Sequence, residues 1–273
     1  MIIMSKKKII NFLVALKHEA LPIIDYFELT LNDKKYRNIF SNVEKNIFLI
    51  ITGIGIQNAK KAVTKLKKLN NNKDDIWVNI GIAGHETFKE GSIYEVKKVI
   101  SSNNKNIFFT NSFYNKIPII TVCCVDKEEK KYNNKFLYDM ESFGFLEALD
   151  SLTIKENIFI FKIVSDNLQF KPKSYKNFAI SFISKHIRKI DTILDKYRNK
   201  PQDSFYDITL MLNIIKNKYH VTFYNKKKLE KILTKIFIIK SQKEIKNDVL
   251  VSKSLNGLIK KYESYLTKYI LKI

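Results

Sequence analysis

The feature that most constrains the fold is a series of short apolar runs that are continuous rather than alternating. Such runs cover residues 9–16, 47–52, 76–84 and 157–164. A strand that is apolar at nearly every position must be buried on both faces, which is typical of a parallel sheet covered by helices on both sides. Each run has the length of a strand and ends in a polar or glycine-bearing turn. The runs therefore predict the strands of an α/β protein.

Amphipathic segments follow these runs with the spacing of helices. They cover residues 18–27, 57–69 and 176–194, and two further strand patterns lie at 91–100 and 117–125. Such a succession of strands and helices is the pattern of connected βαβ units. It predicts an α/β sandwich with a largely parallel central sheet.

The alternation ends near residue 195. Beyond it the sequence holds only lysine-rich helical patterns, such as "DITLMLNIIKNKY" and "KKKLEKILTKIFII". We therefore predict two domains: an α/β domain over residues 1–197 and a C-terminal helical extension over residues 198–273.

A formal net charge of +22 raises the question of a nucleic-acid partner. Specific recognition of nucleic acid relies strongly on arginine, and this chain has only Arg37, Arg188 and Arg198. Lysine is mixed with Asn and Ile along the whole chain, which indicates a general compositional bias. We therefore do not expect nucleic acid as a partner, and a polyanion is the alternative.

The cysteines and the apolar runs bear on the compartment. Cys123 and Cys124 are the only cysteines, and two adjacent cysteines do not form a disulfide framework, which favours a reducing cytoplasm. The start "MIIMSKKKIINFLVAL" has some features of a signal peptide. Charges then follow in "KHEALP" without a cleavage site, so a first core strand is preferred. No uncharged run reaches the roughly 18 residues of a membrane span, so no membrane partner is expected.

The stretch "KFLYDMESFGFLEAL", residues 135–149, predicts an amphipathic helix with a carboxylate on its apolar face. Glu141 shares a stripe with Gly144 and Phe145, and no Lys or Arg stands three or four residues away to pair with it. An unpaired ionised carboxylate is costly in an apolar setting. We therefore expect its partner to come from elsewhere in the fold, from water or from a ligand.

Three acidic residues lie where an open α/β sheet binds its ligands, at the carboxyl ends of the strands. Glu19 follows the first run, Asp166 follows the last, and Glu141 opens the helix before the last run. Glycine turns in "TGIG" and "GIAG" allow the backbone to approach a ligand closely. Each feature also has a structural interpretation, as a helix cap or a tight turn.

Five motifs together carry a family resemblance. "ALKHEALP", "TGIGIQNAKKA", "NIGIAGHETFKEGSIYEV", "YDMESFGFLEAL" and "KIVSDN" follow one another over about residues 8–193. In order and spacing they resemble the nucleoside phosphorylase and nucleosidase superfamily, and most of all the 5'-methylthioadenosine/S-adenosylhomocysteine nucleosidases and their relatives with a "DMES" motif. The resemblance implies a three-layer phosphorylase-like sandwich with a largely parallel mixed sheet.

The resemblance also implies roles for individual residues. Glu19 and Asp166 would be catalytic, the first polarising the attacking water and the second protonating nitrogen 7 of a purine. Glu141 would hold the ribose hydroxyls. The remaining substrate-binding residues would be Gly84, Cys124, Val125, Asp126, Met140 and Ser165. No metal or cofactor is implied, and the four histidines show no ligand spacing. His18 is interpreted as structural, and His85 lies near the expected site.

The expected activity is hydrolysis of the N-glycosidic bond of an adenine nucleoside, and two alternatives stay open. A phosphorolytic enzyme would need donors for phosphate, but Asn79 and Ile82 stand where relatives place such donors, and Arg37 is the one candidate arginine. A binding module would use the helical extension to dock a partner. The resemblance further implies a homodimer.

Overall fold

The computed structural model describes residues 8–32, 37–69, 74–103, 106–110, 117–150, 152–153, 155–198, 208–236, 240 and 242–270. The chain divides into two compact units, residues 1–199 and 200–273.

The described residues of the first unit form ten strands, and four of these strands coincide with the four apolar runs. Its strands are β1 (Ile10–Val14), β2 (Thr30–Leu31), β3 (Ile39–Asn42), β4 (Ile47–Ile51), β5 (Ile76–Gly84), β6 (Ile93–Ser101), β7 (Ile107–Phe109), β8 (Ile119–Cys124), β9 (Leu137–Asp139) and β10 (Ile158–Asp166). Its helices are α1 (Lys17–Phe27), α2 (Ile56–Leu69), α3 (Ser142–Leu149) and α4 (Tyr175–Arg198), with a 3-10 turn at Lys155–Asn157.

All ten strands belong to one mixed sheet. The strands β4, β1, β5 and β10 run parallel at its centre. The antiparallel strands β3 and β2 extend one side, and β6, β8 and β9 continue from β10 until β9 pairs back onto the end of β5. Parallel strands end on the same edge, so the carboxyl ends of β1, β5 and β10 lie side by side.

Helices cover both faces of the sheet, as the continuous apolar runs predict. Neighbouring strand residues point into different cores: Phe12 packs with α1 and α4, and Leu13 packs with α2 and α3. The same division separates Val78 from Trp77 on β5. The structure is therefore the expected three-layer α/β sandwich.

Two parts of the sequence interpretation need correction. The short strands β2, β3, β7 and β9 were not predicted, because each has only two to four residues, too few to show a strand pattern. Residues 135–149 are not one helix, since Leu137–Asp139 form β9 and the helix begins only at Ser142. Strand β9 pairs with β8 and with Gly84, two long-range contacts that local periodicity does not reveal.

A glycine permits close packing of α3 against the start of α2. A Cβ on Gly144 would lie 2.1 Å from the backbone oxygen of Ile56. Backbone atoms cannot move away as a flexible side chain would, so any side chain at position 144 would push the two helices apart.

The described residues of the second unit form four helices around a core of their own. They are α5 (Ile208–Lys218), α6 (Phe223–Ile236), α7 (Gln242–Val251) and α8 (Leu255–Ile270). Buried apolar residues from all four helices form this core, among them Met211, Leu229, Val249 and Tyr262. Lys218 donates to three backbone oxygens at the end of α7, where helices leave such groups unpaired. Within the described residues, no helix is long and apolar enough to cross a membrane.

Candidate functional site

A cavity of about 340 Å³ opens at the carboxyl ends of β1, β5 and β10. Its walls come from these strand ends, from the start of α1, from the turn before α2 and from the segment 125–141. The lining residues are Ala15, Leu16, His18, Glu19, Ile54, Ile82, Ala83, Gly84, Val125, Glu128, Glu129, Tyr132, Tyr138, Asp139, Met140, Glu141, Ser165, Asp166 and Tyr175.

The cavity brings together most of the residues singled out from the sequence. Those that line it are Glu19, Gly84, Val125, Met140, Glu141, Ser165 and Asp166. The structure does not bring Cys124 and Asp126 to it. Cys124 is fully buried in β8, and Asp126 lines a separate depression beside the start of α2. Of the three residues Cys124, Val125 and Asp126, which the resemblance makes substrate-binding, Val125 alone lines this cavity.

Glu19 is held between two elements by backbone donors. Its Oε2 accepts from the N–H of Leu16, 2.9 Å away, and its Oε1 accepts from the N–H of Ile82 on β5, 3.0 Å away. The first bond is the helix cap that the structural interpretation predicts. The second bond fixes the carboxylate against β5 at the cavity wall. A helix cap does not require this bond.

Glu141 reaches the glycine turn before α2. Its Oε1 accepts from the N–H of Gly55, at 2.9 Å. Gly55 has a φ of +107°, which strongly favours glycine, so the "TGIG" turn can present this N–H to the carboxylate. The expected partner of Glu141 from elsewhere in the fold is thus partly a backbone group.

Lys162 was missed by the sequence interpretation, although it lies at the centre of the charges. It stands on β10 with its side chain 1% exposed, and its Nζ lies 2.7 Å from Oδ2 of Asp139. The same Asp139 oxygen accepts from the N–H and the hydroxyl of Ser142. One lysine inside an otherwise apolar strand was the available signal, because a buried ammonium needs a carboxylate.

The residues Glu19, Asp139, Glu141 and Lys162 form what we call the buried charge cluster. Burial raises the pKa of Glu19, opposed by the two backbone donors and by Lys162. Burial and the Asp139 charge raise the pKa of Glu141 to about 7, opposed by Lys162 and Gly55. Burial disfavours charged Lys162, but Asp139, Glu141 and Glu19 together raise its pKa. The cluster has more carboxylates than cations and suits a ligand that develops positive charge.

Asp166 also lines the cavity, and both of its carboxylate oxygens accept hydrogen bonds. Ser165 Oγ donates to its Oδ1 at 2.5 Å, and the Tyr132 hydroxyl donates to its Oδ2. A register irregularity between Val164 and Asp166 ends the regular pairing of β10 with β5. Asp166 is only 5% exposed. Burial and the Asp166 contact raise the pKa of Tyr132, which keeps its proton and acts as the donor.

Two histidines lie at or near the cavity. His18, which the sequence interpretation takes as structural, lines the cavity beside Glu19. His85 is buried and does not line the cavity. Its Nδ1 accepts from the N–H groups of Thr87 and Phe88, and burial lowers its pKa, which favours the neutral ring. His85 therefore anchors a turn at the edge of the site.

The described residues contain no group of three or more His, Cys, Asp or Glu side chains placed to hold a metal ion.

No protein-family model and no curated protein matches the chain. Solved structures do match, and one is the 5'-methylthioadenosine nucleosidase of Arabidopsis thaliana, with a TM-score of 0.61 and 16% identity over 72% of this chain and 98% of that one. This chain has the nucleosidase fold.

Bacterial enzymes give the same result. The 5'-methylthioadenosine/S-adenosylhomocysteine nucleosidase of Campylobacter jejuni matches with a TM-score of 0.57 and 16% identity over 70% of this chain and 100% of that one. The Helicobacter pylori enzyme, solved with butyl-thio-DADMe-Immucillin-A, matches with a TM-score of 0.57 and 13% identity over the same shares. The resemblance found in the motifs is thereby confirmed for the fold, and identities of 13–16% concern the fold alone.

Proposed function

We propose that the protein is a purine nucleosidase that hydrolyses the N-glycosidic bond of an adenine nucleoside of the 5'-methylthioadenosine or S-adenosylhomocysteine type. The observation that carries the proposal is the meeting of Glu19, Glu141 and Asp166 on one cavity of a nucleosidase fold. Breaking this bond makes a cationic sugar and an anionic base. The reaction therefore needs carboxylates at the sugar end and a proton donor at the base end.

The buried charge cluster forms the proposed sugar end. Glu19, fixed by the N–H groups of Leu16 and Ile82, holds and polarises the attacking water. Glu141 accepts hydrogen bonds from the ribose 2' and 3' hydroxyls, with Met140 against the sugar. The excess of carboxylates stabilises positive charge as the sugar becomes oxocarbenium-like.

Asp166 forms the proposed base end. It delivers a proton to nitrogen 7 of the leaving purine, and Ser165 orients its carboxyl group through the bond to Oδ1. Gly84 and Val125 also line the cavity and would contact the base. A general acid of this kind typically contributes about 10²–10⁴-fold to the rate.

Phosphorolysis by the same fold is the second candidate, and the charge of the cavity disfavours it. No Lys or Arg is among the described residues that line the cavity. Lys162 lies within the charge cluster and is paired with Asp139, and Asn79 instead donates to the backbone oxygen of Leu13. A phosphate dianion would meet carboxylates without the fork-like donors that usually orient it. Base release measured with and without phosphate tests this, and a strict phosphate requirement would overturn hydrolysis.

The partners and the location also belong to the proposal. We propose a homodimer, supported by apolar side chains that stay about half exposed, Ile54 at the cavity rim and Ile107 and Phe109 on β7. A fully active monomer in sedimentation at micromolar concentration would contradict it. We also propose that the helical unit, which has a core of its own, docks a partner. The unbonded thiols of Cys123 and Cys124 fit the cytoplasm.

The decisive experiment is to incubate the protein with a panel of nucleosides and to measure free base. Asp166→Asn keeps the shape of the side chain and loses the transferable proton, so release should fall at least about 10²-fold. Asp191→Asn is the matched control, because Asp191 also accepts from a tyrosine, Tyr26, but on the outer surface. If Asp166→Asn retains wild-type turnover while folded, the assignment of the acid is wrong.

A further inference from the structure

The side chain of Tyr132 occupies the base end of the cavity. Its hydroxyl donates to Oδ2 of Asp166, while Ser165 Oγ donates to Oδ1 at 2.5 Å. Both oxygens of the carboxyl group that would serve the base are therefore taken by hydroxyls of the protein itself. Each carboxylate oxygen keeps a second lone pair, but the Tyr132 side chain itself fills part of the cavity beside Asp166, so a base that approaches from this side must displace it.

The contacts at Gly84 show which of the two hydroxyls, that of Tyr132 or that of Ser165, blocks access of a base to Asp166. A Cβ on Gly84 would lie 2.3 Å from Oη of Tyr132, so the phenol rests directly on the end of β5. The ring also leans on Tyr138, with ring centroids 5.5 Å apart. Ser165, by contrast, lies on β10 itself and its hydroxyl also contacts the backbone oxygen of Ala83. Tyr132 is the group that blocks this access.

The Tyr132 ring can leave Asp166 while the backbone of its segment stays in place. Residues 126–136 form neither helix nor strand, and Tyr132 is only partly buried. The backbone just beyond it is tied down independently, because the N–H of Asn133 donates to Oη of Tyr138 and the oxygen of Asn134 lies 3.2 Å from Nε2 of His85. Rotation of one side chain is then enough to open the base end.

We propose that Tyr132 is a latch on the base end of the cavity, whose hydroxyl competes with the base for Asp166. The inference rests on the proposed function, because it assumes that a base binds at this end. Every ligand that carries a base binds only the molecules in which Tyr132 has left Asp166, so its affinity is reduced by that fraction. A ligand confined to the sugar end is not affected.

The size of the effect follows from the bond that opening breaks. A net hydrogen bond of about 1.5 kcal/mol, the upper value for a neutral acceptor and the lower value for a charged one, shifts an equilibrium by about tenfold. The affinity for a base should therefore rise by about tenfold or more when the bond is removed and the ring is kept.

Tyr132→Phe makes this change, and Tyr26→Phe is its matched control. Tyr26 donates to Asp191 at 2.9 Å on the surface formed by α1 and α4, so its replacement removes a tyrosine–aspartate bond away from the cavity. Full-length proteins are titrated with adenine by calorimetry, and Km and kcat are measured with 5'-methylthioadenosine. Tyr132→Phe should lower Kd for adenine and Km for the nucleoside by about tenfold or more, and inhibition by 5-methylthioribose should be unchanged. Tyr26→Phe should leave all of these values at those of the wild type.

The outcomes separate the latch from other roles. Tyr132→Leu also takes the ring off Gly84 and should bind adenine at least as tightly as the wild type, which keeps the test valid if Tyr132→Phe folds poorly. Weaker or equal binding of adenine by both variants overturns the latch. A loss of kcat at unchanged Kd also overturns it and assigns Tyr132 to proton transfer. Tighter binding of adenine without cleavage of any nucleoside supports the latch and contradicts the hydrolase. If no variant binds adenine or cleaves a nucleoside, the proposed function fails and the latch fails with it.

Discussion

Replacing Lys162 by Met should destabilise the first unit strongly, although Met keeps the length of the side chain. The ammonium lies 2.7 Å from Asp139, and the two side chains are 1% and 0% exposed. Removing one partner of a buried pair leaves the other charge uncompensated, which typically costs about 3–5 kcal/mol. Asp139 would keep its bonds from Ser142 and its contact with the Cys124 thiol, and none of these groups carries a positive charge.

The chain offers both a control and a clean probe for this change. Lys60 pairs with Glu147 where the side chains are 30% and 34% exposed, so Lys60→Met should cost only about 0–1 kcal/mol. Trp77 is the sole tryptophan and is fully buried in β5, so its fluorescence during urea unfolding reports on the first unit. Adding Asp139→Asn to Lys162→Met should recover part of the loss, because the remaining buried group is then neutral. A loss for Lys162→Met no larger than for Lys60→Met would refute the reasoning.

Three further changes test the cavity, the packing and the second unit. The wild-type kcat/Km should rise with pH and level off above about 7. Burial and Asp139 raise the pKa of Glu141 to about 7, and the ionised form accepts the ribose hydroxyls. Glu141→Gln should remove this rise from the pH profile. In the unfolded chain this glutamate loses its proton near pH 4.5. The free energy of unfolding of the wild type should therefore decrease as the pH rises from 4.5 to about 7, and Glu141→Gln should not show this decrease. Gly144→Ala should lower stability to urea by about 1–3 kcal/mol, because its Cβ would meet the backbone of Ile56, and an unchanged midpoint would contradict that contact. A chain ending at residue 199 should still cleave nucleosides, since each unit has its own core, and lost turnover would show that the second unit completes the site.

The layers of the fold could be predicted because the signal for them is local. Strand β5 is found at Ile76–Gly84, the bounds of its apolar run, since a strand buried on both faces must be apolar throughout. Strands β7 and β9 have only three residues each, and their existence depends on partners distant in the sequence. No periodicity inside three residues distinguishes a strand from a turn.

The carboxylates of the site were predictable, but the groups that control them were not. Glu19, Glu141 and Asp166 stand at strand ends or in motifs, where a rule of topology selects them. Tyr132 lies in a charged segment without regular structure, and nothing in that segment indicates that its hydroxyl reaches Asp166. Such a contact depends on the path of a loop, which the sequence does not specify by any repeat.

Lys162 shows how composition can conceal a functional group. In a chain with 49 basic residues, one more lysine looks like part of the bias, yet this one lies inside a strand whose nine residues are all buried. A fully buried ammonium must be matched by carboxylates, so the position alone requires an acidic residue nearby. The structure supplies Asp139 as the close partner and leaves Glu19 and Glu141 with only partial compensation. Two carboxyl groups with raised pKa values then face the same cavity, and a cation formed there would stabilise their ionised forms as they stabilise the cation.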